Sequence, residues 1–421
     1  MPISRFTIER LGPLGDGIAE TPQGPVFIDR ALPQDELRAS VAKDHANVSR
    51  GEITEILTPS PYRQKASCPH YDDCGNCSLQ HATTEFYRNW KVETVRQTLQ
   101  RVGLTPSQWL EPLFLSSGKR RRASFSLQKK KGKGVMGYYR RRSQEITDIE
   151  NCEIIHPELL DLKKWLKPFL SPLLKDGESL DIFFQKIGNS IDMVISEPNP
   201  GFKKKDFSLE QLLTDVLETS PINRISFKTE KGFRTVYKEG KIEAEFGPLK
   251  VELPPGAFLQ PTEEGEKGLV EAVLSALPSS GTFADLFSGC GTFSGPLLTR
   301  GTVHSYESNE LAVKSLSKAA QKHPLKVFQR DLFKNPLKRE ELNQYDAVLF
   351  DPPRSGCNEQ AKEMAASQVP LLIGISCNPA SFAKDVRLLV NGGYRIQSIQ
   401  VVDQFIYSHH VEVVGIFTKK L

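Results

Sequence analysis

The rhythm of apolar and polar positions changes several times along the chain. Residues 3 to 57 alternate over short runs broken by turn signals: Phe6-Thr7-Ile8, the Gly12-Pro13-Leu14-Gly15-Asp16-Gly17 turn, Pro25 to Ile28, Leu37 to Val41 and Gly51 to Ile56. Short strands packed this closely predict a small β-barrel. Pro59 and Pro61 then mark a linker. From Thr84 to Val102 the apolar residues Phe86, Trp90, Val95, Leu99 and Val102 recur at helical spacing, and Gly103 stops the run. Residues from about 110 to 250 are mostly strand-like, with a helical stretch near Leu159 to Leu174. From about 264 the pattern becomes regular: a helix over Glu264 to Leu277, a strand over Thr282 to Phe287, a Gly-rich turn, a helix over Phe293 to Leu298, and strands over Val303 to Glu307 and Ala347 to Asp351. Helices and strands alternating with tight turns predict a doubly wound sheet, so the whole chain reads as a multidomain α/β protein.

With 421 residues, 38% hydrophobic and 25% charged, the chain has the composition of a soluble, multidomain globular protein. No apolar run approaches a membrane span, and no apolar segment follows the N-terminus, so a cytoplasmic, reducing compartment is expected. The net charge of +4 hides an asymmetry: Lys119 to Arg142 carries eleven Lys or Arg and no acidic residue. Such a segment suits a polyanion, since each cation set on a phosphate releases counterions; a solvated hairpin with a basic tip fits the run equally well. The interleaved Phe125, Tyr138 and Tyr139 favour nucleic acid, because bases stack on such rings.

Asp285-Leu286-Phe287-Ser288-Gly289-Cys290-Gly291-Thr292-Phe293-Ser294-Gly295 places Gly-x-Gly between a strand and a helix, where a nucleotide cofactor can approach bare backbone. The third glycine comes one residue late for a dinucleotide fingerprint, and S-adenosylmethionine fits better. Glu307, ending the next strand, suits a ribose hydroxyl pair. Asp331 is placed to meet the adenine amine or, equally, to cap a helix. Asp351-Pro352-Pro353-Arg354 ends an apolar strand at the edge where such sheets bind ligands, and its prolines stiffen the loop. Amino-methylating enzymes place an aromatic residue after such prolines; Arg354 argues against an exocyclic amine as acceptor.

Ile373 to Cys377 is another strand end, leading through Asn378-Pro379 into a helix whose N-terminus is expected to depress the thiol pKa. A thiolate adding to C6 of uracil converts an electron-poor ring into an enolate that attacks a sulfonium methyl at C5. A base must then remove the C5 proton. Glu412, in His409-His410-Val411-Glu412, has the chemistry, with apolar neighbours to raise its pKa, although from the residues alone a solvent-facing carboxylate at a strand edge is the commoner reading. Upstream, Cys68-x5-Cys74-Gly75-Asn76-Cys77 and the distant Cys152 offer four thiolates, for which zinc and a [4Fe-4S] cluster are both suited. The radical-type Cys-x3-Cys-x2-Cys is absent.

Taken together, Asp-x-Phe-Ser-Gly-x-Gly-Thr-Phe, Asp-Pro-Pro-Arg-x-Gly, Ser-Cys-Asn-Pro and His-x-Glu, in this order, resemble the RNA 5-methyluridine (uracil-C5) methyltransferase family. The resemblance implies a C-terminal Rossmann-like class I methyltransferase domain, Cys377 as nucleophile and Glu412 as general base. It also implies Gln260, Phe287, Thr292, Glu307, Asp331 and Asp351 around S-adenosylmethionine. Gln260 belongs to a Phe-x-Gln entry; the family's Asn two residues on is Thr262 here. Residues 1–58 resemble a TRAM domain, an OB-like RNA-binding barrel. Members acting on 23S ribosomal RNA carry Cys-x5-Cys-Gly-x-Cys with a distant fourth Cys, so the resemblance favours a [4Fe-4S] cluster on Cys68, Cys74, Cys77 and Cys152 over zinc. It implies three units: 1–58, a mostly β central domain over 59–255 with the cysteines and basic hairpin, and 256–421 for the methyltransferase. The expected partner is RNA, 23S before transfer RNA, with no membrane and no obligate protein partner. A non-catalytic RNA-binding or ribosome-assembly module is the alternative from another class.

Overall fold

Pairing of the short N-terminal strands comes first in the chain. The computed structural model describes residues 3–44, 46–196 and 220–419. β1 (Ile3–Thr7), β2 (Arg10–Leu11), β3 (Gly17–Ala19), β4 (Val26–Ile28), β5 (Glu36–Lys43) and β6 (Ser49–Thr58) form one sheet in the order β1-β5-β6-β4-β3-β2. Ile8, Ile28, Leu37 and Ala39 fill its small core.

α1 (Thr84–Arg101) follows the cysteine-bearing segment. Its fully buried face is Tyr87, Lys91, Val95 and Leu99, whereas Phe86 and Trp90, expected to lead the apolar stripe, are only partly buried. Lys91 takes the inner position because it is neutralised there: its Nζ donates to Asp403 Oδ1 at 2.9 Å and to the carbonyl of His410, and Tyr87 donates to the same carboxylate. Leaving a buried carboxylate unpaired costs about 3–5 kcal/mol. Lys91→Met is therefore expected to lower the thermal unfolding midpoint by several degrees, read by circular dichroism, far more than an exposed Lys→Met change such as Lys267→Met.

β9 (Arg122–Lys130), β10 (Lys133–Tyr139), β11 (Ile146–Asp148), β12 (Ser179–Ile187), β13 (Ser190–Ser196), β14 (Arg224–Thr229) and β15 (Gly232–Lys238) make a second sheet in the order β11-β10-β9-β12-β13-β14-β15. α2 (Pro157–Leu170) packs Leu159, Leu162 and Leu166 onto it. Phe125 is fully buried in that core, its ring centre 5.1 Å from that of Tyr138 and tilted to it by 38°. Of the aromatics interleaved with the basic run, only Tyr139 is exposed, because alternate residues of a strand point to opposite faces.

The C-terminal sheet holds β18 (Gly281–Leu286), β19 (Gly301–Glu307), β20 (Leu325–Gln329), β21 (Ala347–Phe350), β22 (Leu371–Ser376), β23 (Tyr394–Asp403) and β24 (Glu412–Lys419), in the order β20-β19-β18-β21-β22-β24-β23. The first five are parallel, and β24 inserts antiparallel between β22 and β23. The direction of strand progression reverses at β18, so the carboxyl ends of β18 and β21 open a crevice there. This is a Rossmann-like class I methyltransferase fold, with α3 (Glu263–Ala276) leading into it and α8 (Pro379–Asn391) following β22. Residues expected in the central domain join it: Val95 and Leu99 of α1 lie in its core, and β7 (Gln108–Trp109) and β8 (Leu113–Phe114) pair with β23. The hairpin of β16 (Glu243–Phe246) and β17 (Leu249–Glu252) also packs on it. Gly295, the late glycine of the turn, is where they meet, since a Cβ there would lie 1.9 Å from the Phe246 carbonyl oxygen. Among the described residues no helix is long and apolar enough to cross a membrane.

Candidate active site

Three strand ends and one loop converge on a single cavity of about 1340 Å³. Asp351 leaves β21, Cys377 leaves β22, Glu412 opens β24, and Gln260 precedes α3; all four line it. Phe287, Thr292 and Glu307 line the same cavity. Phe287 sits at φ +63°, a left-handed backbone that turns the chain sharply out of β18. The Glu307 carboxylate accepts from Gly289 N at 2.9 Å and Asn309 N at 2.7 Å, fixing it beside the Gly-rich turn. Asp331 is not among the lining residues. Its Oδ1 accepts from Phe333 N at 3.0 Å and Lys334 N at 3.3 Å, capping a turn rather than a helix, and Phe333 from that turn reaches the wall instead.

Glu412 is only 4% exposed, which removes the reading of a solvent-facing carboxylate. Burial pushes its pKa well above the ordinary carboxylate range, and Asp351, raised by the same cause, adds to it. Gln404 Nε2 donates to Glu412 Oε1 at 3.1 Å and to Gln260 Oε1 at 2.8 Å, and Gln260 Nε2 reaches Asp351 Oδ2 at 3.4 Å. The half-buried Cys377 thiol is pushed up to about 11, by burial first and then by Glu412 and Asp351, while Arg354 pulls it down. The depression expected from the helix N-terminus is thus overturned. Desolvation and two carboxylates from neighbouring strands outweigh a dipole that weakens within one turn. The loop bearing Arg354 is held from α8: Asn378 Nδ2 and Ser381 Oγ each donate to the Arg354 carbonyl at 2.9 Å.

The cofactor end of the cavity is acidic. Asp285, fully buried at the end of β18, is pushed up to about 7 by burial, and Asp351 and Glu307 reinforce the shift. Its Oδ1 and the Ser288 Oγ are buried without a protein partner. Ser288, Glu307 and Asp351 line the cavity and Asp285 does not; the free hydroxyl and the two lining carboxylates suit a cationic, hydroxyl-bearing ligand, the character of S-adenosylmethionine. Sequence reasoning did not single out Asp285 or Ser288, although both lie in the motif it quoted, and it missed Gln404.

The opposite wall is basic and aromatic. Phe258 is 57% exposed, and the Arg122 guanidinium lies 4.5 Å from its ring. Much of the basic run is occupied by the protein itself. Arg121 and Arg122 donate to the carbonyls of Gln260 and Leu259, and Arg141 and Arg142 both bind Asp16 of the barrel. Lys129, Lys131 and Lys133 take no side-chain ion pair among those recorded for the described residues.

Cys68, Cys74, Cys77 and Cys152 surround a second cavity of about 40 Å³, which shares Arg120, Tyr138 and Ser408 with the first. None forms a disulfide. Burial raises the Cys68, Cys74 and Cys77 thiols, Cys74 to about 11, and the cysteines raise one another. Four thiols around one hole have the donor chemistry of a metal or cluster site. Yet among the described residues no three His, Cys, Asp or Glu side chains converge with the geometry of ligands to a metal ion.

Residues 311–421 match the family model for tRNA (Uracil-5-)-methyltransferase, and residues 4–54 match the TRAM domain. An RNA methyltransferase of Mesorhizobium japonicum is 33% identical over 99% of this chain and 98% of its own. The chain belongs to the RNA methyltransferases. Within the family, this methyltransferase is 28% identical to the 23S rRNA (uracil(1939)-C(5))-methyltransferase of Acinetobacter baumannii, over 98% of this chain and 95% of that one. Its fold matches the tRNA (uracil-54, C5)-methyltransferase of Pyrococcus abyssi, solved with S-adenosyl-L-homocysteine, with TM-score 0.73 at 21% identity, covering 98% and 99% of the two chains.

Proposed function

We propose that this methyltransferase modifies C5 of a uridine in 23S ribosomal RNA through a covalent adduct on Cys377. The observation that carries the mechanism is the convergence of Cys377, the buried Glu412 and Asp351 on one cavity. Cys377 Sγ bonds to C6 of a uridine flipped into the cavity, with Arg354 favouring the thiolate. S-adenosylmethionine supplies the methyl group. Glu412 then takes the C5 proton, and the electrons of that C–H bond re-form the C5–C6 double bond and expel the thiolate. Gln260, Phe287, Thr292, Glu307 and Asp351 hold the cofactor, with Asp331 acting through the turn that it caps. Support for 23S RNA comes from the Acinetobacter relative and from the four cysteines. The test supplies labelled cofactor with undermodified 23S RNA and with transfer RNA, then maps the product. 5-Methyluridine in 23S RNA is expected; label confined to transfer RNA overturns the substrate.

The three-unit division is kept, with the amendment that residues 84–114 and 243–252 pack on the methyltransferase unit. Cys68, Cys74, Cys77 and Cys152 would hold a [4Fe-4S] cluster, with a role in structure or RNA positioning because the methyl transfer involves no oxidation or reduction. The resemblance of the Cys-x5-Cys-Gly-x-Cys pattern to 23S-type members of the family is what favours the cluster over zinc. Protein purified without oxygen is expected to contain iron and acid-labile sulfide in equal amounts. Cys77→Ser is expected to lose both and to unfold at lower temperature; zinc in place of iron refutes the assignment.

A further inference from the structure

Gln404 lies in no motif, follows the last residue of β23, and is 2% exposed. Its amide nitrogen has two hydrogens and two acceptors, Gln260 Oε1 at 2.8 Å and Glu412 Oε1 at 3.1 Å. Gln260 in turn donates to Asp351. Two carboxylates from different strands are thus joined by two carboxamides, and every donor in the chain faces a carboxylate or passes its polarity toward one. The preceding residue, Asp403, is locked by Lys91 and Tyr87, so the backbone of Gln404 is fixed from the α1 side. Its amide oxygen is buried with no partner. It fits only because residue 265, in the first turn of α3, lacks a side chain: a Cβ there would lie 2.5 Å from Gln404 Oε1 and 3.0 Å from its Cβ. A side chain retained solely to fill space would not leave one amide oxygen orphaned while pointing the nitrogen at a buried carboxylate.

We propose that Gln404 is a positioning residue for the resolution step: its amide holds Glu412 in place and in the ionised form, and Gly265 is the seat that admits it. The inference rests on Glu412 serving as the base that clears the Cys377 adduct. Burial opposes ionisation of Glu412, and of its neighbours the Gln404 hydrogen bond favours it most. Without that donor the carboxylate keeps its proton to higher pH and the C5 proton is abstracted more slowly. Formation of the adduct should not slow, because a Glu412 that keeps its proton no longer pushes the Cys377 thiol up.

The test follows single turnovers of the full-length protein with 23S RNA, resolving adduct formation from adduct decay on denaturing gels, as a function of pH. Gln404→Met, similar in volume but without a donor, is expected to slow decay about tenfold or more, the scale of one lost hydrogen bond to a charged group. The acid limb of the decay profile should move to higher pH. Gly265→Ala, whose Cβ would meet Gln404 Oε1 at 2.5 Å and the helix-capping Thr262 Oγ1 at 2.8 Å, should shift decay in the same direction, with Thr262→Ala as the control that removes the cap alone, and it keeps the test valid should Gln404→Met fold poorly. Decay at the wild-type rate with an unmoved pH profile in both variants overturns this inference alone. No adduct in the wild type overturns the covalent reading and this inference with it.

Discussion

Cys377→Ala is expected to lose methyl transfer by on the order of 10⁴-fold or more, the scale on which removing a covalent nucleophile acts. The side chain stands at the carboxyl end of β22 in a cavity where Glu412 and Asp351 are already present. No other cysteine lines that cavity, so no neighbour can substitute. The free thiol is also a reluctant nucleophile, held near 11 by burial and the two carboxylates. Adduct formation should therefore rise with pH as the thiolate fraction grows, and Arg354→Met, which removes the cation favouring the thiolate, should steepen that requirement. Binding of S-adenosylhomocysteine, measured by calorimetry, should be unchanged in Cys377→Ala. Retained turnover in this variant would refute a covalent mechanism outright.

Glu412→Gln has the second largest expected effect, of a different kind. The adduct still forms, because Cys377 is intact, but its C5 proton has no acceptor; turnover falls by about 10²–10⁴-fold, the usual worth of a general base. Protein bound to RNA should then accumulate and survive denaturation. The working form of Glu412 is the carboxylate, and its pKa is raised by burial. Resolution in the wild type is accordingly full at alkaline pH and lost as pH falls through the raised pKa, well above the ~4.3 of a free glutamate. An acid limb near the free value would contradict a buried base. Loss of turnover with no trapped adduct would place Glu412 before the covalent step.

Most elements were legible because their periodicity is local. The helix expected over Glu264 to Leu277 is found at Glu263–Ala276, and the strand over Val303 to Glu307 lies within Gly301–Glu307. The meeting of the strand ends was legible for a related reason: a sheet whose strands progress in two directions brings their carboxyl ends together. What was hidden depended on partners distant in sequence. The stripe of α1 reads as Phe86 and Trp90 until Asp403 makes Lys91 an inner residue. The basic run suggests free charge until Asp16, Gln260 and Leu259 claim its arginines. The direction of the Cys377 shift was misjudged because a helix start is visible in sequence, whereas the enclosing strands are not.

Asp16 ties the barrel to the chain beyond β10. It is 1% exposed and gathers Arg50 of the barrel together with Arg141 and Arg142 beyond β10, while Arg141 also binds Asp29. The barrel is thereby riveted to the wall of the catalytic cavity. An RNA contacting both must bridge a span set by the protein, which works as a fixed caliper. Discrimination between RNAs then becomes a matter of which folded molecule offers a uridine at that reach, and the nucleotides around the target need carry little of the information.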